Sequence, residues 1–205
     1  MREGYLSHRE KTTIFEGESV LNLPTLTNQQ ILHYTEEFQK MARQIKIEKE
    51  QKGDFDFLLK FAEAEVITGG DDYVKIASEI ISGEERLVIF AHPESRITYS
   101  LELPEKARLY CGISLSPYVW SEEKGSGVHF EITLNDNGSE RMLFSRYIDP
   151  KNRVKDQKWH DIEVDLSSYP PGQKQLKFIT TTKGKDNQFC WAVWSHPYLV
   201  SKRGG

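Results

Sequence analysis

The apolar positions of the N-terminal quarter follow a helical period. In PTLTNQQILHYTEEFQKMARQIKIEKEQKG, apolar side chains recur at intervals of three and four residues, which is the spacing of one face of an α-helix. Thr27 and Gln30 form the capping-box pattern that opens a helix, and Gly53 supplies a C-terminal stop. The pattern therefore predicts one amphipathic helix that ends near Gly53. Its apolar face consists of Ile31, Tyr34, Phe38, Met41 and Ile45.

From about Asp54 the pattern becomes that of β-strands. Nine short runs are rich in Val, Ile, Thr and aromatic residues, and several alternate apolar with polar positions. They are YVKIASEI, RLVIFA, RITYSLEL, ARLYCGISL, VHFEITLN, RMLFSRYI, HDIEVDL, KQLKFITT and QFCWAVWSHPYLV. Turn signals such as ITGGDD, NDNGSE and YPPGQ separate them. The pattern predicts a mainly β fold, an antiparallel β-sandwich or jelly roll, because a parallel α/β fold would need a crossover helix between strands. The preceding FDFLLKFAEAEVITGG has an ambiguous pattern, which fits a short helix that runs into a strand.

The last run, DNQFCWAVWSHPYLV (186–200), is the most aromatic part of the chain. On a strand, the alternating positions of FCWAVW fall on opposite faces, and both faces are apolar. This is typical of a central strand covered on both sides, with the N-terminal helix as one candidate cover. We interpret the stretch as core rather than as a ligand platform.

The order of residues in the β region resembles that of a galactose-binding-like β-sandwich. HPESRITYSLELPEKARLYCGISLSPYVWSEEKGSGVHFEITLNDNG resembles its middle, with an LP turn before a strand, an aromatic loop after it and a Gly-Val-x-Phe strand next. DQKWHDIEVDLSSYPPGQKQLKFIT is similar to its W-x-x-x-x-V-D-L-S-x-Y…G segment, and WAVWSHPYLV to its closing strand. The resemblance covers about residues 54 to 201. It implies a module that is usually non-catalytic and that in many members binds carbohydrate through loops at one end of the sandwich.

A second resemblance concerns the N-terminus. FEGESVLNLPTLTNQQILHYTEEFQKMA, within about residues 14 to 42, is similar to the tail that follows the catalytic barrel in cobalamin-binding radical SAM enzymes. The resemblance implies the C-terminal end of such an enzyme or a stand-alone relative. The three-cysteine cluster motif of that chemistry is absent from this sequence, so no iron–sulfur or SAM-binding residue is carried over.

Composition excludes several classes of function. The 205 residues suit one domain with an appendage, or two small domains, and 28% of them are charged. A net charge of -4 argues against nucleic-acid binding. Apolar runs are too short to span a bilayer, and the charged N-terminus lacks the apolar region of a secretory signal. The sequence as given thus predicts a cytoplasmic location without membrane insertion, unless it is a fragment of a larger protein.

The sequence also lacks motifs for catalysis. Its six histidines show no HxH or HExxH spacing, and no GxSxG elbow or phosphate-binding loop occurs. The two cysteines, Cys111 and Cys190, lie in strand-like runs without CxxC spacing, so buried free thiols are favoured over a bridge. The many carboxylates are best explained as a solvated surface, although paired acids that meet only in space are an alternative. We predict that the chain is not an enzyme.

The remaining candidates for chemistry are aromatic side chains in loops. Sugar sites combine aromatic rings with a few placed polar groups. Tyr118 and Trp120 lie in SPYVWSEEKGSG, which is too polar and glycine-rich for a core strand, and Arg146 and Tyr147 lie near the end of FSRYI. We predict a ligand site from these four residues; the alternative is that Trp120 closes the sandwich like a lid.

A structural calcium ion is the one cofactor that the sequence suggests. Asp71, Asp72, Asp156 and Asp186 lie in predicted loops, where oxygen-rich sites suit this cation. Galactose-binding-like sandwiches often carry such an ion, although no spacing here is diagnostic.

The sequence thus predicts a three-part chain. Residues 1–53 form an extended segment and the helix, 54–201 the galactose-binding-like sandwich and 202–205 a disordered tail. We predict a non-catalytic carbohydrate-binding or accessory module, whose helix joins a partner domain or a second copy of the chain. The alternatives are a fragment of a cobalamin-dependent radical SAM enzyme, whose sandwich presents a glycan or lipid-headgroup substrate, and a structural interaction module without a small ligand.

Overall fold

A computed structural model describes residues 53–70 and 72–201, together with Glu36 and Lys40. Glu36 and Lys40 are both helical, and they fall within the predicted N-terminal helix. The rest of that helix, the segment before it and the predicted disordered tail lie outside the described residues. The domain boundary near residue 53 therefore stays a prediction.

The described part of the chain contains eleven β-strands and three short 3-10 helices. The strands are β1 Phe55–Asp56, β2 Glu65–Ile67, β3 Val74–Ile81, β4 Glu84–Ala91, β5 Ser95–Leu103, β6 Ala107–Leu115, β7 Val128–Asp136, β8 Ser139–Ile148, β9 His160–Asp165, β10 Gly172–Thr181 and β11 Ala192–Ser201. The 3-10 helices are Phe61–Glu63, Pro117–Val119 and Val154–Asp156. All nine predicted runs contain a strand, β3 to β11. The ambiguous stretch before them holds a 3-10 helix that leads into β2.

The strands form two antiparallel sheets. The first sheet has the order β3-β4-β11-β6-β9, with β1 paired to β11. The second sheet has the order β2-β5-β10-β7-β8. Every strand pair in both sheets is antiparallel. This arrangement confirms the predicted antiparallel β-sandwich.

The main core consists of apolar side chains from both sheets. Its largest members make edge-to-face aromatic contacts: Trp194 lies 5.0 Å from Phe130 and 5.1 Å from Phe178 between ring centroids. Tyr99 is buried among them, and its hydroxyl donates to the Phe57 carbonyl (O···O 3.0 Å). Buried aromatic rings in this geometry contribute area and directional contacts.

Both cysteines are free and buried, as the sequence favoured. Burial raises the pKa of the Cys111 thiol and that of the Cys190 thiol. The Cys190 thiol donates to the Ser126 carbonyl (S···O 3.0 Å). Since the thiolate is the reactive form, these surroundings keep both groups inert.

Strand β11 is central, as the sequence predicted. It pairs with β4 through Val193–Ser195 and with β6 along most of its length. Trp194 is 0% exposed on the face that points into the sandwich. Val193, on the outer face, is buried in a second cluster with Trp159, and the half-buried Trp120 packs against that cluster. Loop tryptophans therefore cover this face at Val193.

The connections place five loops at one end of the sandwich. Four of them join β4 to β5 (92–94), β6 to β7 (116–127), β8 to β9 (149–159) and β10 to β11 (182–191), and the fifth joins β2 to β3. Each of them crosses from one sheet to the other, and the strand registers bring their strand ends to the same side. We call this side the loop end.

No helix in the described ranges is long and apolar enough to cross a membrane.

Candidate functional site

The loops of the loop end are tied to one another by hydrogen bonds. The Ser126 N–H donates to the Asp186 carbonyl (N···O 2.9 Å), and the Asn187 amide donates to the Pro93 carbonyl (3.0 Å). Gly125 allows a close approach, because it has φ +84° and a Cβ there would lie 1.7 Å from the Gln188 carbonyl oxygen. These contacts make the loop end an ordered surface, the kind of scaffold on which binding residues are usually displayed.

Tyr118 projects from this surface. It lies in the 3-10 helix Pro117–Val119 and is 78% exposed, whereas the next residue, Val119, is buried. Ser116 anchors the turn: its N–H donates to the Trp191 carbonyl (2.8 Å) and its hydroxyl donates to Glu79 Oε2 (3.2 Å). Burial raises the pKa of Glu79, although the Ser116 hydrogen bond opposes the shift. The predicted ligand-binding tyrosine is thus an exposed ring on an anchored turn.

Trp120 is placed differently. Its indole N–H donates to the Leu115 carbonyl (2.9 Å), and its ring packs against both apolar clusters. This position matches the alternative in which Trp120 closes the sandwich. Its burial removes most of the ring from contact with a ligand.

Arg146 links the edges of the two sheets. Its Nη2 lies 3.0 Å from Nδ1 of His160, and the two residues belong to β8 and β9. Because a guanidinium only donates hydrogen bonds, Nδ1 is the acceptor and the imidazole proton lies on Nε2. Burial lowers the pKa of His160, and the positive charge of Arg146 lowers it further. Arg146 therefore has a bridging contact in addition to its predicted place in a ligand site.

Tyr147 lies in a polar cluster on the outer face of the second sheet. The Gly127 N–H donates to its hydroxyl oxygen (3.1 Å), and this hydroxyl donates to Asp149 Oδ2 (3.2 Å). The Arg153 guanidinium lies 5.1 Å from the ring centroid, which is cation–π distance, and the His129 ring lies 4.8 Å away. Burial raises the pKa of Tyr147, and the charge of Asp149 adds to the shift.

Two more cations lie beside this cluster. Lys185 Nζ is 6.0 Å from the Tyr147 ring, and Lys183 pairs with the buried Glu131 (2.7 Å). Burial lowers the pKa of His129, and the positive charges of Lys183 and Lys185 lower it further. Sequence reasoning found Tyr147 but missed Arg153, Lys185 and His129, because loop and strand residues that meet only in space leave no local pattern.

The predicted calcium ligands have other partners. The Asp72 side chain is 94% exposed and lies 3.9 Å from Lys75. Asp156 Oδ2 accepts from the Asp149 N–H (3.0 Å). Asp186 accepts from the Gln188 and Gly125 N–H groups (both 3.0 Å), and the Gln188 hydrogen bond is the main reason that its pKa is lowered.

Asp71, the fourth predicted ligand, lies outside the described residues. Among the residues that are described, no group of three or more His, Cys, Asp or Glu side chains could hold a metal ion. The structure thus gives the predicted calcium site no support within that part of the chain.

Comparisons with known proteins give one sequence relative. No protein-family model matches the chain. An uncharacterised protein of Archaeoglobus fulgidus is 36% identical over 155 residues, which cover 68% of this chain. The chain spans 39% of the length of that relative.

Several solved structures that are similar to the chain contain carbohydrate-binding modules. They include the CBM51-2 and INT domains of Clostridium perfringens ZmpB (TM-score 0.48, 14% identity, covering 66% of this chain and 29% of that one). The CBM51 of C. perfringens GH95 in complex with methyl-galactose gives a TM-score of 0.47 at 14% identity, covering 65% of this chain and 91% of that one. TmCBM61 in complex with β-1,4-galactotriose gives 0.43 at 17% identity, covering 69% and 90%. Because these TM-scores are all below 0.5, the fold of the chain is described from its own sheet order rather than from these structures.

Proposed function

We propose that the chain is a non-catalytic carbohydrate-binding module that takes its ligand at the loop end. The observation that carries the proposal is Tyr118, a 78% exposed ring held on an anchored turn. Large aromatic side chains are mostly buried, so an exposed ring at an ordered surface points to contact with a ligand.

The polar cluster around Tyr147 also suits a sugar. A sugar ring offers apolar C–H faces, which stack on an aromatic ring, and hydroxyl groups, which need donors and acceptors. The loop end supplies both kinds of group around Tyr147: cationic donors from Arg153 and Lys185, and a carboxylate acceptor from Asp149. We expect Tyr118 to provide the stacking surface and this polar cluster to select among ligands.

The acidic groups of the loop end support the non-catalytic part of the proposal. Asp186 accepts two backbone N–H groups, and Asp149 accepts from Asn152 and Tyr147. Glu94 is buried in part, and its hydrogen bonds to Thr181 and Thr182 outweigh that burial and lower its pKa. The lowered pKa values of Asp186 and Glu94 suit carboxylates that hold loops together, whereas a general acid needs a raised pKa.

A glycan array tests the proposal with a matched pair of variants. Tyr118→Ala removes the exposed ring, and Ile80→Ala removes an apolar side chain that is 62% exposed on β3, near the opposite end of the sandwich. We expect the wild-type protein and Ile80→Ala to bind the same immobilised oligosaccharides. Tyr118→Ala should lose most of the signal, because it removes the ring on which the sugar would stack.

Two results would contradict the proposal. One is an array without signal for the wild-type protein. This result would favour the alternative of a structural interaction module without a small ligand. The other is equal signal from Tyr118→Ala and Ile80→Ala, which would show that binding does not use the loop end.

We keep one second candidate, an accessory part of a larger enzyme. It is favoured by the Archaeoglobus fulgidus relative, of which the chain spans 39%. The resemblance to cobalamin-binding radical SAM enzymes lies in residues 14 to 42, of which the structure describes Glu36 and Lys40. The remaining sequence of the relative tests this candidate directly: a three-cysteine cluster motif there would support it, and a sequence without one would remove its basis.

A further inference from the structure

A cleft opens in the first sheet where β11 parts from β4. The two strands pair only over Val88–Phe90 and Val193–Ser195. The register of β11 then shifts between Ser195 and Tyr198, with His196 at φ +37°, and beyond this bulge β11 pairs with β1. Residues 84–87 of β4 therefore pair with β3 but not with β11, and a cleft of about 350 Å³ lies between β4 and β11.

A glycine forms the floor of this cleft. A Cβ on Gly112 of β6 would lie 2.8 Å from Arg86 Nη1, 3.0 Å from Ser195 Cβ and 3.2 Å from Asp161 Oδ1. The backbone of Gly112 lies outside the left-handed region, so its conformation alone would accept alanine. A side chain at this position would occupy the floor of the cleft and push against the end of the Arg86 side chain.

Arg86 bridges the cleft in a fixed orientation. Its Nε and Nη2 donate to the two carboxylate oxygens of Glu84 (2.8 and 3.0 Å), and its Nη1 donates to Asp161. The guanidinium also lies 4.9 Å from the Trp159 ring centroid. Burial alone would lower the pKa of Arg86, but the hydrogen bonds to Asp161 and Glu84 outweigh it and raise the pKa. These carboxylates are oriented in advance and retain lone pairs for further donors.

Two tyrosines form the other wall. Tyr110 and Tyr198 are register partners on β6 and β11, and their rings stack with centroids 5.4 Å apart and planes 20° from parallel. Burial raises the pKa of Tyr198, and the charges of Tyr110 and Asp161 add to the shift. The phenol therefore stays protonated at neutral pH and can donate or accept a hydrogen bond.

The lining selects one class of ligand. Its carboxylates, Glu84, Glu85 and Asp161, outnumber Arg86, so an anion would be repelled. A purely apolar ligand would desolvate these charges without replacing their hydrogen bonds, which is costly. A neutral ligand rich in hydroxyl groups meets both conditions, because it donates to the carboxylates and lies against the tyrosine rings. We infer that this cleft is a second sugar-binding site, separate from the loop end; the inference rests on the proposed carbohydrate-binding function and extends it.

Amide NMR titrations test the inference in the wild-type protein and two glycine variants. The probes are glucose, galactose, xylose and N-acetylglucosamine, with methylammonium as a cationic control, each raised to millimolar concentration. Gly112→Ala fills the cleft floor, whereas Gly69→Ala is the control, because its Cβ would meet only the Tyr73 ring, at 3.8 Å. We expect at least one sugar to shift the amides of Gly112, Ser195 and Tyr198 in the wild-type protein and in Gly69→Ala. In Gly112→Ala the affinity of this site should fall at least about tenfold.

A second variant guards against misfolding, and a third separates the two sites. Tyr198→Phe keeps the stacked ring and removes the hydroxyl, so it should weaken binding in the cleft without altering the fold. Tyr118→Ala should remove shifts at the loop end and leave the cleft shifts in place. The inference is overturned if no probe shifts the cleft amides, if Gly112→Ala and Tyr198→Phe both bind as the wild-type protein does, or if methylammonium shifts these amides and no sugar does. Cleft shifts without any loop-end shifts in the wild-type protein would count against the proposed function and not against the cleft.

Discussion

At the scale of single residues, a contact between the sheets depends on one proton. The neutral His160 imidazole accepts from Arg146, and burial together with that positive charge lowers its pKa below the ordinary 6.5. The unfolded chain binds this proton more readily than the folded one, so the fold loses stability as the pH falls below that value. Above 6.5 the stabilising contribution is fully present.

Chemical denaturation at two pH values tests this contact. We expect the wild-type protein to be less stable at about pH 5.5 than at about pH 7.5. In His160→Gln the difference should shrink, because an amide oxygen can accept from Arg146 and does not titrate in this range. An equal pH dependence in the two proteins would show that His160 does not contribute to it.

The sequence identified some residues of the candidate site and missed their partners. Tyr118 could be predicted as exposed, because SPYVWSEEKGSG is too polar for a core strand, and the exposed ring agrees with that. The same loop did not reveal that Trp120 folds back to the Leu115 carbonyl. The His160 partner of Arg146 lies on another sheet, and a contact of this kind follows from the packing of the sheets rather than from local pattern.

At the scale of elements, the central strand β11 contributes a large buried side chain, Trp194, to the main core. The Trp194 side chain is fully buried between Phe130 and Phe178, and its indole N–H lacks a hydrogen-bond partner among the described residues. Trp194→Ala should reduce the free energy of unfolding by about 3 to 5 kcal/mol, since it opens a large cavity. Trp194→Phe should cost far less, because it keeps a ring and removes a buried donor without an acceptor.

Urea denaturation of both variants measures this contrast. Equal losses of stability in Trp194→Ala and Trp194→Phe would mean that the indole N–H has an acceptor after all. A loss below about 1 kcal/mol in Trp194→Ala would show that the core collapses onto the cavity.

The strands could be predicted from sequence, whereas the cleft between two of them could not. Alternation and β-branched residues identified β3 to β11, because each of them packs at least one face against a core. The interruption lies at Pro197, which has no N–H to donate to a ladder. At that bulge β11 stops pairing with β4 and begins to pair with β1. Local sequence does not reveal this change, because the pairings of β11 with β4, β6 and β1 join distant parts of the chain.

At the scale of the whole molecule, the sandwich encloses both thiols. Cys111 and Cys190 are buried and free, with raised pKa values. We expect a thiol reagent to label the native protein slowly and the urea-unfolded protein at two positions. Rapid labelling of the native protein would contradict the burial of at least one thiol, and Cys111→Ser and Cys190→Ser would identify which one.

The topology also decides what the chain can present to a ligand. Sequence pattern predicted a sandwich, and the resemblance to galactose-binding-like sandwiches implied binding loops at one end, but neither indicated which loop residues meet there. The packing of the sheets brings Tyr147, Arg153 and Lys185 together, and hydrogen bonds between loops fix the surface from which Tyr118 projects. The proposed function depends on this arrangement.

The most direct test of that function is a calorimetric titration in solution with the oligosaccharide that gives the strongest array signal. We predict saturable binding at millimolar or lower concentration for the wild-type protein and for Ile80→Ala, and binding at least about tenfold weaker for Tyr118→Ala. An absence of heat at millimolar oligosaccharide, or equal affinity in the wild-type protein and Tyr118→Ala, would contradict carbohydrate binding at the loop end.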